Sequence, residues 1–224
     1  MISSIVADTD VLVEHIIQSP RLPVYYRRIH DLLEDERRRR QEFYETITED
    51  VKAEFINGEV IMHSPARFEH SETSRNLFTL LDVYVSIHDL GFAAFEKVMV
   101  SLTRNDYEPD ICFFGQTRAS QIAKGQTRYP APDFIAEFLS TSTKARDRGI
   151  KFQDYASHGV TEYWIIDPDT EIVEQYVLQA GTFELKIKAQ SGEVASVAIP
   201  GFAIPVRAIF DQEEKRATLR LLIV

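Results

Sequence analysis

Three residues in the middle of the chain, Asp110, Glu137 and Lys151, have the types and spacing of a metal-dependent hydrolytic site. Asp110 immediately precedes an apolar run at 111–114, and Glu137 lies inside the apolar segment 134–139. A carboxylate within a buried strand is costly unless a cation or several donors satisfy it. Two such carboxylates offer the oxygen ligands that Mg²⁺ or Mn²⁺ needs, and Lys151 follows as a third charged group. We therefore predict a metal-dependent hydrolase site at Asp110 and Glu137.

The alternation of side chains along a strand decides whether these carboxylates can meet. Glu137 shares one strand face with Asp133, Ile135 and Leu139. If the strands that carry Asp110 and Glu137 are neighbours, both carboxylates reach one edge of the sheet. A bound cation would reverse their mutual repulsion, activate water and stabilise charge on a phosphoryl oxygen. A lysine nearby would add to that charge or position the nucleophile.

Hydrophobic periodicity predicts the elements that position these residues. A charged helix spans about 23–47, Asn57-Gly58 forms a two-residue hairpin turn, and a long helix spans about 69–89 with Gly91 as its C-terminal cap. Strands are predicted at 92–102 and 110–114, followed by a polar loop at 115–132 and a third strand at 133–140. A helix at 141–158, a strand at 162–166 and a hairpin at 172–187 complete the pattern. We therefore predict a mixed sheet of the α/β (α+β) class with helices packed against it.

The charge distribution places a basic excess around the proposed carboxylates. The chain of 224 residues has a formal net charge of −10, the wrong sign for a protein that coats nucleic acid indiscriminately. Residues 115–151 nevertheless contain seven basic and three acidic side chains, which gives this stretch a charge of +4. An anionic substrate would require such an environment, although solvated loop charges produce the same pattern.

Composition limits the compartment and the partners. The single cysteine, Cys112, excludes an intrachain disulfide and a multi-cysteine zinc site, and it fits a reducing compartment. No apolar run approaches the ~18 residues of a membrane span, and the acidic N-terminus does not resemble a signal peptide. We therefore expect a cytoplasmic protein with no membrane partner. Apolar segments at 11–17 and 219–224, together with the charged helix, favour a homodimer.

Several segments resemble the Uma-type restriction endonuclease family, within the PD-(D/E)XK nuclease superfamily. The resemblance covers about residues 50–205 and is most specific over 132–168. The segments that carry it are Glu54-x-Ile56-x-Gly58-Glu59, Ser64-Pro65, His70, Pro109-Asp110, Pro132 to Ser140, Thr143, Arg146-Asp147, Lys151, Tyr155 and Gly159-Val160-x-Glu162-Tyr163-Trp164-Ile165-Ile166-Asp167-Pro168.

This resemblance implies both an architecture and an activity. The architecture is a restriction-endonuclease-like αβββαβ core with a mixed central sheet and extra β-hairpins. The chain then divides into an N-terminal helical extension at 1–50, a nuclease-like domain at 51–210 and a C-terminal tail at 211–224. The activity is an Mg²⁺-dependent (or Mn²⁺-dependent) endonuclease that hydrolyses phosphodiester bonds, with nucleic acid, and DNA in particular, as its expected partner.

The resemblance also assigns the catalytic lysine, with one departure. The superfamily lysine normally stands two residues after the glutamate, and this chain has Leu139 there. Lys151, one helical turn after Asp147, is the natural substitute. Lys97, on the strand predicted at 92–102, is the alternative source of the cation.

Two further residues are candidates for the site. The resemblance suggests that Glu59 completes the metal site from the hairpin, and an exposed acid beside the turn is the equal alternative. His70, at the start of the long helix, is a candidate base or substrate contact, although a surface or capping histidine is the more usual arrangement. Glu54 also matches a family position and has no assigned role. Glu162 is expected in the core.

Three other interpretations stay open at this stage. The chain could be a non-catalytic member of the same fold that binds nucleic acid or a protein, which the displaced lysine and the acidic net charge favour. Two carboxylates also serve glycosidases, although few aromatic residues accompany them here. Each acid could instead pair structurally with an arginine. A match of two acids and a lysine together favours the metal site over that last possibility.

Overall fold

The computed structural model describes residues 11–48 and 50–223 of the chain. Residues 11–17 are helical. The remaining helices are α1 (Leu22–Thr46), α2 (Phe68–Ile87), α3 (Gln116–Ala119), α4 (Lys144–Asp147), α5 (Ile150–Ser157), α6 (Arg207–Phe210) and α7 (Gln212–Leu222). The strands are β1 (Ala53–Ile56), β2 (Glu59–Met62), β3 (Gly91–Phe95), β4 (Met99–Ser101), β5 (Asp106–Tyr107), β6 (Ile111–Gly115), β7 (Arg128–Tyr129), β8 (Phe134–Phe138), β9 (Glu162–Asp167), β10 (Ile172–Gln179), β11 (Thr182–Ala189), β12 (Glu193–Ala195) and β13 (Ala203–Pro205).

A six-stranded mixed sheet in the order β11-β10-β9-β8-β6-β3 forms the centre of the fold. Strands β3, β6 and β8 pair in antiparallel fashion. Strand β9 pairs parallel to β8, which requires the crossover through α4 and α5. The hairpin of β10 and β11 extends the sheet beyond β9. The predicted αβββαβ order with a mixed sheet and an added hairpin is therefore confirmed.

The two faces of this sheet form two different cores because side chains alternate along each strand. One core joins α2 to alternate residues of β6 and β8, namely Leu77, Leu80, Leu81, Ile111, Phe113, Phe134, Ala136 and Phe138. The residues between them, such as Cys112 and Ile135, belong to a second core with Tyr155 of α5. Glu137 lies between Ala136 and Phe138, so its side chain is directed to the side of α5.

A second, five-stranded sheet in the order β2-β1-β5-β4-β7 lies beside the central one. Strands β1 and β2 form the predicted hairpin, and Asn57 and Gly58 at its turn have φ angles of 50° and 83°. Every residue of β1 is buried, and the ring centroids of Phe55 and Phe43 of α1 lie 5.9 Å apart. This sheet carries the segment 52–54 to the edge of the central sheet.

Two long predicted elements are each divided in the structure. The strand predicted at 92–102 is divided into β3 and β4 because Glu96 and Lys97 turn the chain with φ angles of 48° and 49°. The helix predicted at 141–158 is divided into α4 and α5 at Gly149, whose ψ angle of −101° is not helical. A Cβ atom at Gly149 would lie 2.7 Å from the carbonyl oxygen of Ala145.

Two smaller predictions are also corrected. Helix α2 ends at Ile87, and the residue after it with a positive φ angle is Asp89 at 51°, which lets Leu90 N–H donate to the Val85 carbonyl at 3.0 Å. Gly91, predicted as the cap, instead begins β3. The loop predicted at 115–132 contains α3 and β7.

The two ends of the described chain differ in how they pack. Helix α7 packs on α2, where Gln212 donates to Glu72 and Lys215 donates to Asn76. Residues 11–17 and the first half of α1 instead expose several large apolar side chains. Across residues 11–48 and 50–223, no helix combines the length and the hydropathy that crossing a membrane would take.

Glu162 at the start of β9 is a buried carboxylate that belongs to the core, as predicted. Its acceptors bind neutral donors only, namely Trp164 Nε1 at 2.6 Å, Gln175 Nε2 at 2.6 Å, Ser196 Oγ at 2.5 Å and the backbone N–H groups of Val197 and Ala198, both at 2.8 Å. These bonds attach the segment after β12 to the central sheet.

We expect Glu162→Ala to lower the free energy of unfolding by about 3 kcal/mol or more, because several buried donors would lose their acceptor. Urea denaturation measures the change. Glu184→Ala, on the exposed side of β11, is the matched control and should change stability by no more than about 0.5 kcal/mol. Equal effects of the two substitutions would contradict this assignment.

Candidate active site

The two predicted carboxylates lie together because β6 and β8 are antiparallel neighbours. Ile111 pairs with Ala136, so Asp110, just before β6, lies opposite Glu137 of β8. Both residues are only 4% exposed, and both line a cleft of about 510 Å³. The backbone N–H of Phe138 donates to Asp110 Oδ2 at 3.0 Å, which fixes the aspartate at the sheet edge.

Most of the residues that line the cleft are of polar types, and many of them come from the segment after β2, the start of α2 and the loop after β8. The segment after β2 contributes residues 63–67, and His70 follows at the start of α2. The loop after β8 contributes the hydroxyl groups of Ser140, Thr141, Ser142 and Thr143. Phe138 is the aromatic residue that lines this cleft in the described part of the chain.

Lys151 is buried at the base of the cleft and is surrounded by carboxylates. Its Nζ lies 2.9 Å from Glu137 Oε1, 2.8 Å from Glu54 Oε1 and 3.4 Å from Asp147 Oδ1. The residue is 1% exposed. Burial lowers the pKa of Lys151, but the three carboxylates outweigh burial and hold it well above its usual value. Lys151 is therefore a permanent cation of the site.

Asp110 is paired with two other basic side chains. Lys52 Nζ donates to Asp110 Oδ1 at 2.7 Å, and His70 Nε2 lies 3.2 Å from Asp110 Oδ2. The ring of His70 also packs edge-on against Phe138. Burial raises the pKa of Asp110, but His70 and Lys52 outweigh burial and keep it well below its usual range. Asp110 is therefore ionised.

Glu54 of β1 is a second carboxylate on Lys151 and is fully buried. It accepts a hydrogen bond from Glu108 N–H at 3.2 Å, and His63 Nε2 lies 3.1 Å from its Oε2. Burial raises the pKa of Glu54, but Lys151 and His63 outweigh burial and set it at about 2. Glu54 thus joins the five-stranded sheet to the base of the site.

Glu137 is a carboxylate whose charge is only partly compensated. Lys151 Nζ and Tyr155 OH both donate to its Oε1, which leaves Oε2 outside these two bonds. Burial raises the pKa of Glu137 to about 8, and although Lys151 opposes this, the nearby Asp147 and Asp110 carboxylates add to it. The residue therefore holds a proton at neutral pH unless a further cation approaches.

The charges of the cluster do not balance. Four buried carboxylates, Glu54, Asp110, Glu137 and Asp147, face two lysines, Lys52 and Lys151. Among the residues that the structure describes, neither carboxylate oxygen of Asp147 has a hydrogen-bond partner, and its contact with Lys151 Nζ is the longer one of 3.4 Å. Counted with the lysines alone, these carboxylates carry one excess negative charge while Glu137 is protonated, and two when a further cation replaces that proton.

The donor set suits one particular kind of cation. No group of three His, Cys, Asp or Glu side chains within residues 11–48 and 50–223 is arranged to hold a metal. Mg²⁺ does not need such a group, because it commonly binds through one or two carboxylates and completes its shell with water and substrate oxygens. Asp110 and Glu137, two carboxylates at one cleft, fit that requirement.

The structure brings most of the candidate residues together. Asp110, Glu137, Lys151 and His70 all line the cleft. Glu59 does not, since it lies exposed on the edge strand β2, and Lys97 lies in the turn after β3, with its Nζ 4.0 Å from Glu108 Oε1.

Three residues of the cluster had no role assigned from the sequence, namely Lys52, Glu54 and Asp147. A signal for Glu54 was available. It lies in the apolar strand Ala53-Glu54-Phe55-Ile56, the same pattern that identified Glu137.

A pH-dependent loss of stability follows from the proton on Glu137. Its pKa of about 8 in the folded chain lies above the value of about 4.3 expected in the unfolded chain. Between these values the folded state binds more protons, so its stability falls as pH rises. Without metal, we expect wild type to lose up to about 1.4 kcal/mol per pH unit relative to Glu137→Gln between pH 5 and 8.

Urea unfolding at pH 5.5, 6.5 and 7.5 in the presence of a chelator measures this difference. Glu59→Gln, an exposed glutamate on β2, is the control and should follow the wild-type profile. Parallel profiles for wild type and Glu137→Gln would show that Glu137 is already ionised at the lower pH.

Comparisons with known proteins identify the family and the fold of this chain. The model of the Uma2 family, described as "Putative restriction endonuclease", matches residues 40–207. An uncharacterised protein of Synechocystis sp. is 30% identical over 131 residues, which is 56% of this chain and 71% of that protein. A crystal structure titled as a "putative nuclease belonging to DUF820" from Anabaena variabilis superposes with a TM-score of 0.65 at 20% identity, over 80% of this chain and 97% of that one. The structural match shows a shared nuclease-like fold, and the family match, over three quarters of the sequence, shows that this chain belongs to the Uma2 family.

Proposed function

We propose that the protein is a metal-dependent endonuclease that hydrolyses phosphodiester bonds of nucleic acid, with DNA as the expected substrate. The observation that carries this proposal is the pair Asp110 and Glu137. They lie opposite each other on adjacent strands, line one cleft, and belong to a buried cluster in which four carboxylates face two lysines. The family description of a restriction endonuclease supports the same activity.

Asp110 and Glu137 would hold Mg²⁺ (or Mn²⁺) at the cleft. When bound, such an ion lowers the pKa of a water molecule and stabilises charge on a phosphoryl oxygen. The hydroxyl groups of the 140–143 loop lie along the cleft as donors for the flanking phosphates. His70, whose Nε2 lies 3.2 Å from Asp110 Oδ2, would serve as a base or as a substrate contact.

Lys151 acts in this scheme by positioning Glu137. Its ammonium is enclosed by three carboxylates and is 1% exposed, so it is not placed to contact a substrate. It holds Glu137 Oε1 together with Tyr155 OH, and it lowers the cost of keeping Glu137 ionised when metal binds. A fixed, preorganised ligand is what electrostatic catalysis requires.

A non-catalytic binding module is the second candidate function. Leu139 occupies the position where the superfamily lysine normally stands, and the net charge of −10 opposes tight binding of nucleic acid. Because a fold does not determine activity, the two candidates differ only in whether metal-dependent cleavage occurs. A glycosidase is not supported, since Phe138 alone would offer a sugar an aromatic surface among the described cleft residues.

Asp110→Asn and Glu137→Gln should each reduce Mg²⁺-dependent cleavage of plasmid DNA by about a hundredfold or more, because each removes a charged ligand. Calorimetry should show the matching loss of Mg²⁺ affinity. Glu59→Gln is the control and should cleave at the wild-type rate, since Glu59 lies outside the cleft. Full cleavage by the Asp110→Asn, Glu137→Gln double variant would refute the metal site, and no cleavage by wild type on DNA or RNA would favour the binding module.

We also propose that the protein forms a homodimer through its N-terminal helical extension. The residues at the start of the described chain and along α1 expose large apolar side chains, including Leu12 at 62% and Tyr26 at 67%. A second copy of the chain could cover these side chains, since exposed apolar surface of sufficient extent marks contact sites. Two further expectations stay predictions. One is the division of the chain into an extension at 1–50, a nuclease-like domain at 51–210 and a tail at 211–224, and the other is a cytoplasmic location.

Light scattering at micromolar concentration should give twice the mass of the 25.7 kDa chain. The double substitution Ile29→Lys, Leu33→Lys should shift the protein toward monomer, because both side chains are exposed on α1. Leu185→Lys, on β11 and equally exposed, should leave the mass unchanged. A monomer mass for wild type would end this proposal without affecting the metal site.

A further inference from the structure

Lys52 is the most exposed of the basic side chains that the structure describes in the cluster. It lies just before β1, where its backbone carbonyl accepts from His63 N–H at 3.1 Å, and its side chain is 22% exposed and lines the cleft. The side chain of Lys151, by contrast, is 2% exposed and contacts three carboxylates. A lysine has a flexible four-carbon stem, so an ammonium at a cleft wall can change partners.

The partner of Lys52 is a residue that the proposed metal also needs. Asp110 Oδ2 is engaged by Phe138 N–H at 3.0 Å and faces His70 Nε2 at 3.2 Å. Asp110 Oδ1 is engaged by Lys52 Nζ at 2.7 Å. A cation that binds Asp110 through Oδ1 would therefore lie beside the ammonium of Lys52 and be repelled by it, because both cations use the same negative charge.

We propose that Lys52 is a displaceable cation that neutralises Asp110 while the site holds no metal and binds a substrate phosphate in the cleft once metal takes its place. This inference rests on the proposed function. No bond is made or broken in the exchange: one ion pair, between Lys52 and Asp110, is replaced by another, between Lys52 and a phosphate oxygen.

The exchange also accounts for how the buried charges are kept satisfied in both states. Without metal, an unpaired Asp110 would be a buried charge with a large cost, and Lys52 removes that cost. With metal, Asp110 no longer needs Lys52, and the released ammonium adds a positive charge where a phosphate would enter. Lys151 cannot take this part, because its three partners remain beside it.

Calorimetry with Mg²⁺ on the full chain gives the first test. Lys52→Met removes the competing ammonium and should tighten Mg²⁺ binding by about tenfold or more, since an adjacent cation shifts a carboxylate equilibrium by about one to three powers of ten. Lys52→Arg keeps the charge and should bind Mg²⁺ close to wild type. Lys124→Met, the same change at an exposed loop position, should also match wild type.

Acetylation of lysines by acetic anhydride, read by mass spectrometry, gives the second test. Addition of Mg²⁺ to wild type should raise the acetylation of Lys52 several-fold, because its ammonium leaves Asp110. The acetylation of Lys124 should not change. The effects of Lys52→Met on turnover and on Mg²⁺ affinity should have opposite signs. The variant should cleave DNA more slowly than wild type although it binds Mg²⁺ more tightly.

The outcomes separate this proposal from the one on which it rests. Wild type that binds Mg²⁺ with the affinity of Lys52→Met, or Lys52 whose acetylation does not respond to Mg²⁺, overturns the displacement and leaves the metal site intact. Absence of Mg²⁺ binding in wild type and in every variant overturns both. Binding by Lys52→Met in the absence of binding by wild type supports the displacement in its strongest form. Thermal unfolding of each variant confirms that the fold is kept.

Discussion

The contact of Lys151 with three carboxylates is the interaction on which the rest of the site depends. Its partners come from separate parts of the fold: Glu137 from the central sheet, Glu54 from the five-stranded sheet and Asp147 from the short helix α4. One buried cation therefore joins both sheets and the crossover. Removal of one member of a buried ion pair typically costs about 3–5 kcal/mol, because the remaining charge is left without compensation. This contact thus stabilises the fold and fixes the orientation of Glu137 at the same time.

The basic residues of the cluster differ in burial, and this difference gives them different roles. Lys151 is enclosed and stays with its carboxylates, whereas Lys52 and His70 lie on the cleft side of Asp110. Lys151 keeps its three carboxylate partners close together in a region of low dielectric constant, where their mutual repulsion would otherwise separate them. The four carboxylates of the cluster still outnumber its two lysines, and in the proposed function this excess would favour the binding of a divalent cation.

Two buried glutamates in one block of sequence show how environment separates a structural acid from a functional one. Glu162 accepts hydrogen bonds from five neutral donors, and these satisfy it within the core. Glu137 has two donors on one oxygen, three carboxylates near it and a cleft in front of it. Both were recognisable from the sequence as acids in apolar strands. The number of hydrogen-bond donors around each carboxylate, which only the tertiary structure gives, assigns Glu162 to the core and Glu137 to the candidate site.

The sequence by itself determined the order of helices and strands in the core, the hairpin at Asn57-Gly58 and the pair Asp110 and Glu137, because these depend on local periodicity and on the cost of burying an acid. The tertiary structure decided which charged residues join that pair. Lys52 and Glu54 reach it because all of β1 is buried, whereas Glu59, five residues after Glu54, lies exposed on the edge strand β2. The apolar neighbours of Glu54 indicate that it is buried, but they do not identify its partner, since the contact of Glu54 with Lys151 joins segments nearly a hundred residues apart in the sequence. Such long-range pairing is set by the packing of the whole sheet, and no local pattern records it.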